Sequence, residues 1–200
     1  MIIYKVSTET MILPVYIYGQ PVLRKVSQPI TADYPNLKEL IENMKETMYA
    51  SDGIGIAAPQ VGLDIRLIYI DVDVISENHP ELKDKRMVLI NPILEVDEQS
   101  KTVTQEEGCL SLPGIHENVT RHDRVRLQWE DENWVHHDEI IEGYLARVVQ
   151  HEYDHLEGRM FIDHVSAIRK QLNRNKLNNM VEGKVKCDYR VKTFKQSRRR

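Results

Sequence analysis

The residues best placed to do chemistry are His151-Glu152-Tyr153-Asp154-His155. On a helix, positions i and i+4 share a face, so both imidazoles can reach one metal ion while Glu152 lies beside it. A carboxylate there takes a proton from the ion's water and returns it to a leaving amine. Such a site needs a third protein ligand and an open position for water. The metzincin pattern asks for His at position 161, after Gly158, and the residue there is Phe161. Asp163 and His164 lie beyond the helix stop at Gly158, and Glu182 sits at the frayed end of the next helix. Cys109, in Glu106-Glu107-Gly108-Cys109-Leu110-Ser111-Leu112-Pro113, is the better candidate, since its neighbouring Gly permits close approach. A lone Cys is ordinarily a small buried apolar residue, which is how Cys187, among lysines, is read.

A second segment, Gly53-Ile54-Gly55-Ile56-Ala57-Ala58-Pro59-Gln60, superficially matches a dinucleotide fingerprint. That fingerprint needs a strand before it and a helix after it. Here a helix precedes, and Pro59 falls where the required helix would begin. What remains is a close-approach loop presenting backbone groups and the Gln60 amide.

The elements that must position these groups follow from periodicity. Leu13–Tyr18 reads as a strand. Pro35 opens a helix with Leu37, Leu40, Ile41, Met44 and Met48 at helical spacing, ending near Tyr49. Arg66–Asp71, Arg86–Ile90 and Ile93–Val96 read as strands, and Val125–Trp129 with Trp134–Ile141 as a hairpin. Tyr144–Glu157 reads as the motif helix, and a third helix runs from Ser166 to Val181. Strands in the middle and helices at the ends indicate an α+β fold.

Composition sets the outer bounds. Two hundred residues, 41% hydrophobic and 29% charged, suit one globular domain. The longest apolar stretch, Met11–Tyr18, falls far short of the roughly 18 residues of a membrane span. No basic segment followed by an apolar one marks a secretory signal. Two cysteines are too few for a disulfide framework, which points to a reducing cytoplasm. From His164 onward, twelve Lys and Arg face Glu182 and Asp188, a net of +10; the rest carries −14, together the −4 of the chain. The basic segment suits a polyanionic partner or simple solvation.

Three segments, Gly53–Gln60, Glu107–Ser111 and Gln150–His155, resemble, in order, the signature motifs of the peptide deformylases, and the likeness runs over residues 11–183 from the Tyr18–Arg24 opening. The resemblance implies a metal-dependent hydrolase that removes the N-formyl group from the initiator formyl-methionine of new polypeptides, releasing formate. It implies antiparallel sheets packed around a central metal-binding helix, with a C-terminal helix. By the same resemblance Cys109, His151 and His155 bind one Fe2+, which Zn2+, Ni2+ or Co2+ can replace; ligand chemistry alone suggests zinc. Glu152 is general base and then acid. The Gln60 amide and the Leu110 N–H form an oxyanion hole. Gly55 and Gly108 contact substrate, and Ile54 lines the methionine pocket. A basic residue at the place of Arg121 implies an ion pair with Glu107.

His116 stands where some members carry an Arg that meets the substrate's far side. Tyr144 and Arg147 replace aliphatic residues, so either the pocket floor differs or Arg147 points to solvent. Residues 1–10 read as an N-terminal extension, 11–183 as the catalytic domain and 184–200 as a basic tail. The partners implied are formyl-methionyl nascent chains and, through the tail, ribosomal phosphate; no membrane or specific nucleic-acid sequence is implied. The competing enzyme reading is a zinc endopeptidase with the same histidines and Glu152 but another third ligand.

Overall fold

The computed structural model describes residues 10–197; the N-terminal extension expected over 1–10 lies, but for Thr10, outside them. Its centre is a five-stranded antiparallel sheet in the order β2–β3–β4–β7–β8, comprising β2 (Gly55–Ala57), β3 (Leu67–Asp71), β4 (Arg86–Val96), β7 (Arg124–Glu130) and β8 (His136–Glu142). β3 is buried throughout, because it serves two cores with alternate side chains. Leu67 and Tyr69 join a cluster with Met44 and Met48 of α1 (Leu37–Ala50). Ile68 and Ile70 join one with Leu145, Val148 and Val149 of α2 (Gly143–Leu156). The expected α+β architecture is present, with α2 against the sheet.

Several boundaries differ from expectation for identifiable reasons. α1 starts at Leu37 rather than Pro35, because Asn36 takes a left-handed φ of 55° and ends the preceding turn. β4 is one strand, not two. Pro92 interrupts its ladder, and the chain absorbs this as a bulge between Ile90 and Ile93. The Asn91 side chain holds the bulge, accepting from Ile30 N at 2.9 Å and donating to Ile30 O at 2.8 Å. β1 covers only Val15–Tyr16, since the flanking N–H groups of Leu13 and Tyr18 are taken by Thr47 Oγ1 and Ser111 O.

A separate two-stranded sheet, β5 (Thr102–Gly108) with β6 (His116–His122), was not foreseen from periodicity. Its inward positions on β6 are Glu117, Val119 and Arg121, so the buried face is mostly charged and shows no apolar alternation. α3 (Ala167–Val181) starts on Ser166, whose hydroxyl accepts from Arg169 N. Beyond it, the segment read as a tail packs back: β9 (Val191–Lys192) pairs in parallel with β1, before the short α4 (Phe194–Ser197). Among the described residues, no helix is long and apolar enough to cross a membrane.

Candidate metal centre and its cavity

α2 presents its chemistry because its apolar side is committed to the sheet. Leu145, Val148, Val149 and Leu156 face the core, which rotates His151 and His155 toward the end of β5. Gly158, with a φ of 68°, lets the chain leave α2 where any Cβ would stand 2.8 Å from the Arg24 carbonyl. Cys109 arrives from the other side, immediately after β5, in a turn closed by Leu112 N donating to Cys109 O at 2.9 Å.

The ligand atoms of Cys109, His151 and His155 lie within 4.8 Å of one another, and Cys109 Sγ is 3.2 Å from His155 Nε2. A tetrahedral ion with S and N ligands separates them by about 3.6 Å, so small side-chain adjustments would admit one. His151 Nδ1 donates to Glu107 Oε2 at 2.8 Å, which leaves Nε2 for the ion. His155 Nδ1 is buried without a partner. The donor set fits a divalent cation.

Electrostatics agree. Burial pushes the Cys109 thiol up, but the imidazoles of His155 and His151 outweigh it and bring it down to about 5. Burial disfavours the charged form of His151, yet Cys109 and Glu107 raise it well above the ordinary value. Glu152 is pushed up to about 6, chiefly by burial, and its Oε2 has no partner. Gly55 makes room for it: a Cβ there would stand 2.6 Å from Glu152 Oε1. Gln60, buried, accepts from Ala57 N at 2.8 Å through Oε1, which turns Nε2 to within 3.5 Å of Cys109 Sγ.

Behind the ligands lies a buried ionic network. Arg121 donates to Glu107 from Nε at 2.7 Å and Nη2 at 3.0 Å, and to Asp154 from Nη1 at 2.9 Å. The Glu107–Arg121 pair expected from sequence is therefore formed. Arg147 does not point to solvent; it is buried, donating to Glu107 at 2.6 Å and to the Val119 and Val103 carbonyls. Its position one turn before His151, on the helix's buried side, was the signal available in the sequence. Burial pushes the Glu107 carboxyl up, but His151 and Arg121 outweigh it and hold the group far below the carboxylate range.

The rival third ligands are engaged elsewhere. Asp163 pairs with Arg24, His164 Nε2 donates to Asp154 at 2.8 Å, and Glu182 pairs with Lys184. Phe161 stacks against the His151 ring with centroids 5.9 Å apart. The endopeptidase reading thus loses its candidate ligands to other partners, whereas Cys109 Sγ lies beside the two histidines.

A cavity of about 680 Å³ opens over the cluster, lined among others by Ile54, Gly55, Gly108, Leu110, Tyr144 and Tyr189. All three sequence-predicted substrate contacts, Ile54, Gly55 and Gly108, border it, as does His116, whose ring packs where a Gly108 Cβ would be. The cavity also takes Lys186, Cys187, Asp188 and Tyr189, from the segment read as a tail. No periodicity or motif marked them; they arrive through the β1–β9 pairing.

Comparison with known proteins bears on this geometry. Residues 12–171 match the family model described as polypeptide deformylase. A peptide deformylase of Flavobacterium johnsoniae is 46% identical over 189 residues, covering 91% of this chain and 96% of the relative. The crystal structure of peptide deformylase from Thermus thermophilus superposes with a TM-score of 0.73 at 37% identity, covering 84% of this chain and 96% of that one. A peptide deformylase from Synechococcus elongatus in complex with actinonin gives 0.71 at 36% identity, covering 90% and 92%. With matching spanning well over half its length and relatives covered almost end to end, the chain belongs to the polypeptide deformylase family.

Proposed function

We propose that this chain hydrolyses the formyl group from formyl-methionyl nascent polypeptides, releasing formate, with Cys109, His151 and His155 holding one divalent metal ion. The observation that carries the reading is the convergence of those three donors beside a buried, unpartnered Glu152 carboxylate oxygen at the base of the cavity. Iron(II) is the proposed resident ion, with zinc, nickel and cobalt as substitutes; when bound, such an ion supplies Lewis acidity and a water of lowered pKa.

The protein's own groups do the rest. Glu152 takes the proton from the attacking water and delivers it to the departing amine nitrogen, so that a free N-terminus and formate leave. Its low-dielectric seat against Gly55 keeps the proton within reach of both. The Gln60 amide, aimed by the Ala57 N–H bond, and the Leu110 N–H donate to the formyl oxygen as charge develops there. Gly55 and Gly108 offer backbone to the peptide, and Ile54 lines the methionine pocket. Glu107 keeps the His151 ring oriented.

The natural setting of this reaction is the cytoplasm, beside the ribosome. The basic C-terminal segment is proposed to contact ribosomal phosphate, which co-sedimentation with ribosomes at low and high salt tests: binding must weaken steeply with salt. The decisive experiment for function is formate release from a formyl-Met peptide. Release abolished by chelator and restored by Fe2+ or Ni2+ is expected; release insensitive to chelation would overturn the reading.

A further inference from the structure

The Cys109 sulfur has a neighbour that the reaction does not require. Ser111 N donates to Cys109 Sγ at 3.4 Å, an N–H to sulfur bond formed within the turn after β5. The same peptide unit carries the Leu110 carbonyl, and the Tyr189 hydroxyl donates to Leu110 O at 2.8 Å. One amide thus receives a hydrogen bond on its oxygen from the C-terminal segment and gives one from its nitrogen to the metal-ligating sulfur. Hydrogen bonds in series through an amide polarise one another, and a donor at the oxygen makes the N–H a stronger donor. Tyr189 also fixes the plane of the peptide, and with it the direction of that N–H.

Tyr189 is held in place by the residues that follow it. Val15 N donates to Arg190 O at 2.8 Å and Ile17 N to Lys192 O at 3.2 Å. Gln20 Nε2 reaches the Lys192 carbonyl at 3.2 Å, and an Arg190 guanidinium nitrogen reaches Ile12 O at 3.2 Å. Burial, then the nearby thiols, push the phenol well above its ordinary value, so it remains a donor at neutral pH.

We propose that Tyr189 is a positioning residue of the metal centre, acting through the Leu110–Ser111 peptide on the Cys109 sulfur. On this view the C-terminal segment is part of the active-site architecture. The inference rests on the metal-site reading above. A thiolate stripped of a hydrogen bond holds its lone pairs less tightly, so charge transfer from sulfur to a bound ion moves to lower energy.

The test is Tyr189→Phe in the full-length protein, loaded with Co2+ and compared with wild type. The variant keeps the ring and loses only the hydroxyl. Expected are a shift of the sulfur-to-cobalt charge-transfer band to lower energy and a kcat reduced by about 2- to 10-fold, as for loss of one hydrogen bond, with KM within about twofold. An unchanged band with unchanged kcat overturns the proposal. An unchanged band with a raised KM or a lowered melting temperature also overturns it, leaving Tyr189 as cavity wall or structural prop. Absence of the band in wild type, or its persistence in Cys109→Ala, sinks the metal-site reading instead, so the two failures are distinguishable.

Discussion

Replacing Arg121 by Met removes the cation that links Glu107 and Asp154 behind the Cys109–His151–His155 cluster. The Arg121 and Glu107 side chains are each only 4% exposed, and Asp154 is 13% exposed, so solvent screens little of the interaction. Three charge-assisted hydrogen bonds disappear, two to Glu107 and one to Asp154. Breaking a buried ion pair from one side costs about 3–5 kcal/mol, because an uncompensated charge remains. Glu107 retains Arg147 at 2.6 Å, and Asp154 retains His164, so neither acid is wholly abandoned. The lower end, about 3 kcal/mol, is therefore expected for metal-free protein at neutral pH. The assay is urea unfolding of wild type, Arg121→Met, Glu107→Gln and the double variant. Since the two residues share bonds, the double variant must lose clearly less than the sum of the singles, with a coupling in the roughly 0.5–3 kcal/mol range of contacting residues. A single-variant loss under about 1 kcal/mol, or strict additivity, would refute the view that Arg121 and Glu107 act as a coupled buried pair.

Other consequences are equally open to measurement. Glu152→Gln should retain metal, as judged by elemental analysis, and lose roughly 10²–10⁴-fold in turnover, the usual contribution of general acid–base catalysis; retention of more than about a tenth of the activity would contradict its role. Gly55→Ala should lower the melting temperature and depress turnover, because the new methyl would stand 2.6 Å from Glu152 Oε1 and 2.9 Å from its Cδ and Cγ and displace the buried carboxylate. Iron-loaded protein should lose activity in air faster than nickel-loaded protein, since a thiolate ligand beside a redox-active ion is open to oxidation; equal half-lives would count against it. Glu117 is held below its ordinary value of 4.5, first by the Arg169 hydrogen bonds, against burial and with Asn173. A depressed acid stabilises above its unfolded pKa and ceases to as pH falls through the folded one. The urea midpoint of wild type should therefore exceed that of Glu117→Gln at pH 7, and the two should converge below about pH 4.5.

How much was legible in the sequence depended on whether the signal was local. The two histidines proposed as ligands on α2 were plain, because i and i+4 spacing dictates a shared face whatever the rest of the chain does. Cys109 followed from a Gly-flanked turn and an unfilled coordination place, and Gln60 from a Gly- and Pro-containing segment that was read as a loop and folds as β2 followed by a 3-10 turn over Ala58–Val61. α1, α2 and the strands with clean apolar patterns were readable for a related reason: burial on one side of a regular element imprints its period on the sequence. β5 and β6 were not, because their buried face is built from Glu107, Glu117 and Arg121, whose burial is made tolerable by partners that only the fold supplies. For Arg147 the sequence left open a changed pocket floor or a solvent-facing charge, and only the fold supplies the Glu107 carboxylate and two backbone carbonyls that bury it. Leu13–Tyr18 and Asn91–Pro92 had their ends set by Thr47, Ser111 and Ile30, all remote in the chain. The sequence by itself therefore determined the shared helix face of His151 and His155 with Glu152 beside them, and the α+β class, each a matter of short-range spacing and composition. The tertiary structure alone decided the ionic network behind His151 and brought Tyr189 to Leu110, 79 residues away. A pairing of two short strands, β1 with β9, turns a basic segment with no apolar pattern into a wall of the cavity over Cys109, His151 and Glu152.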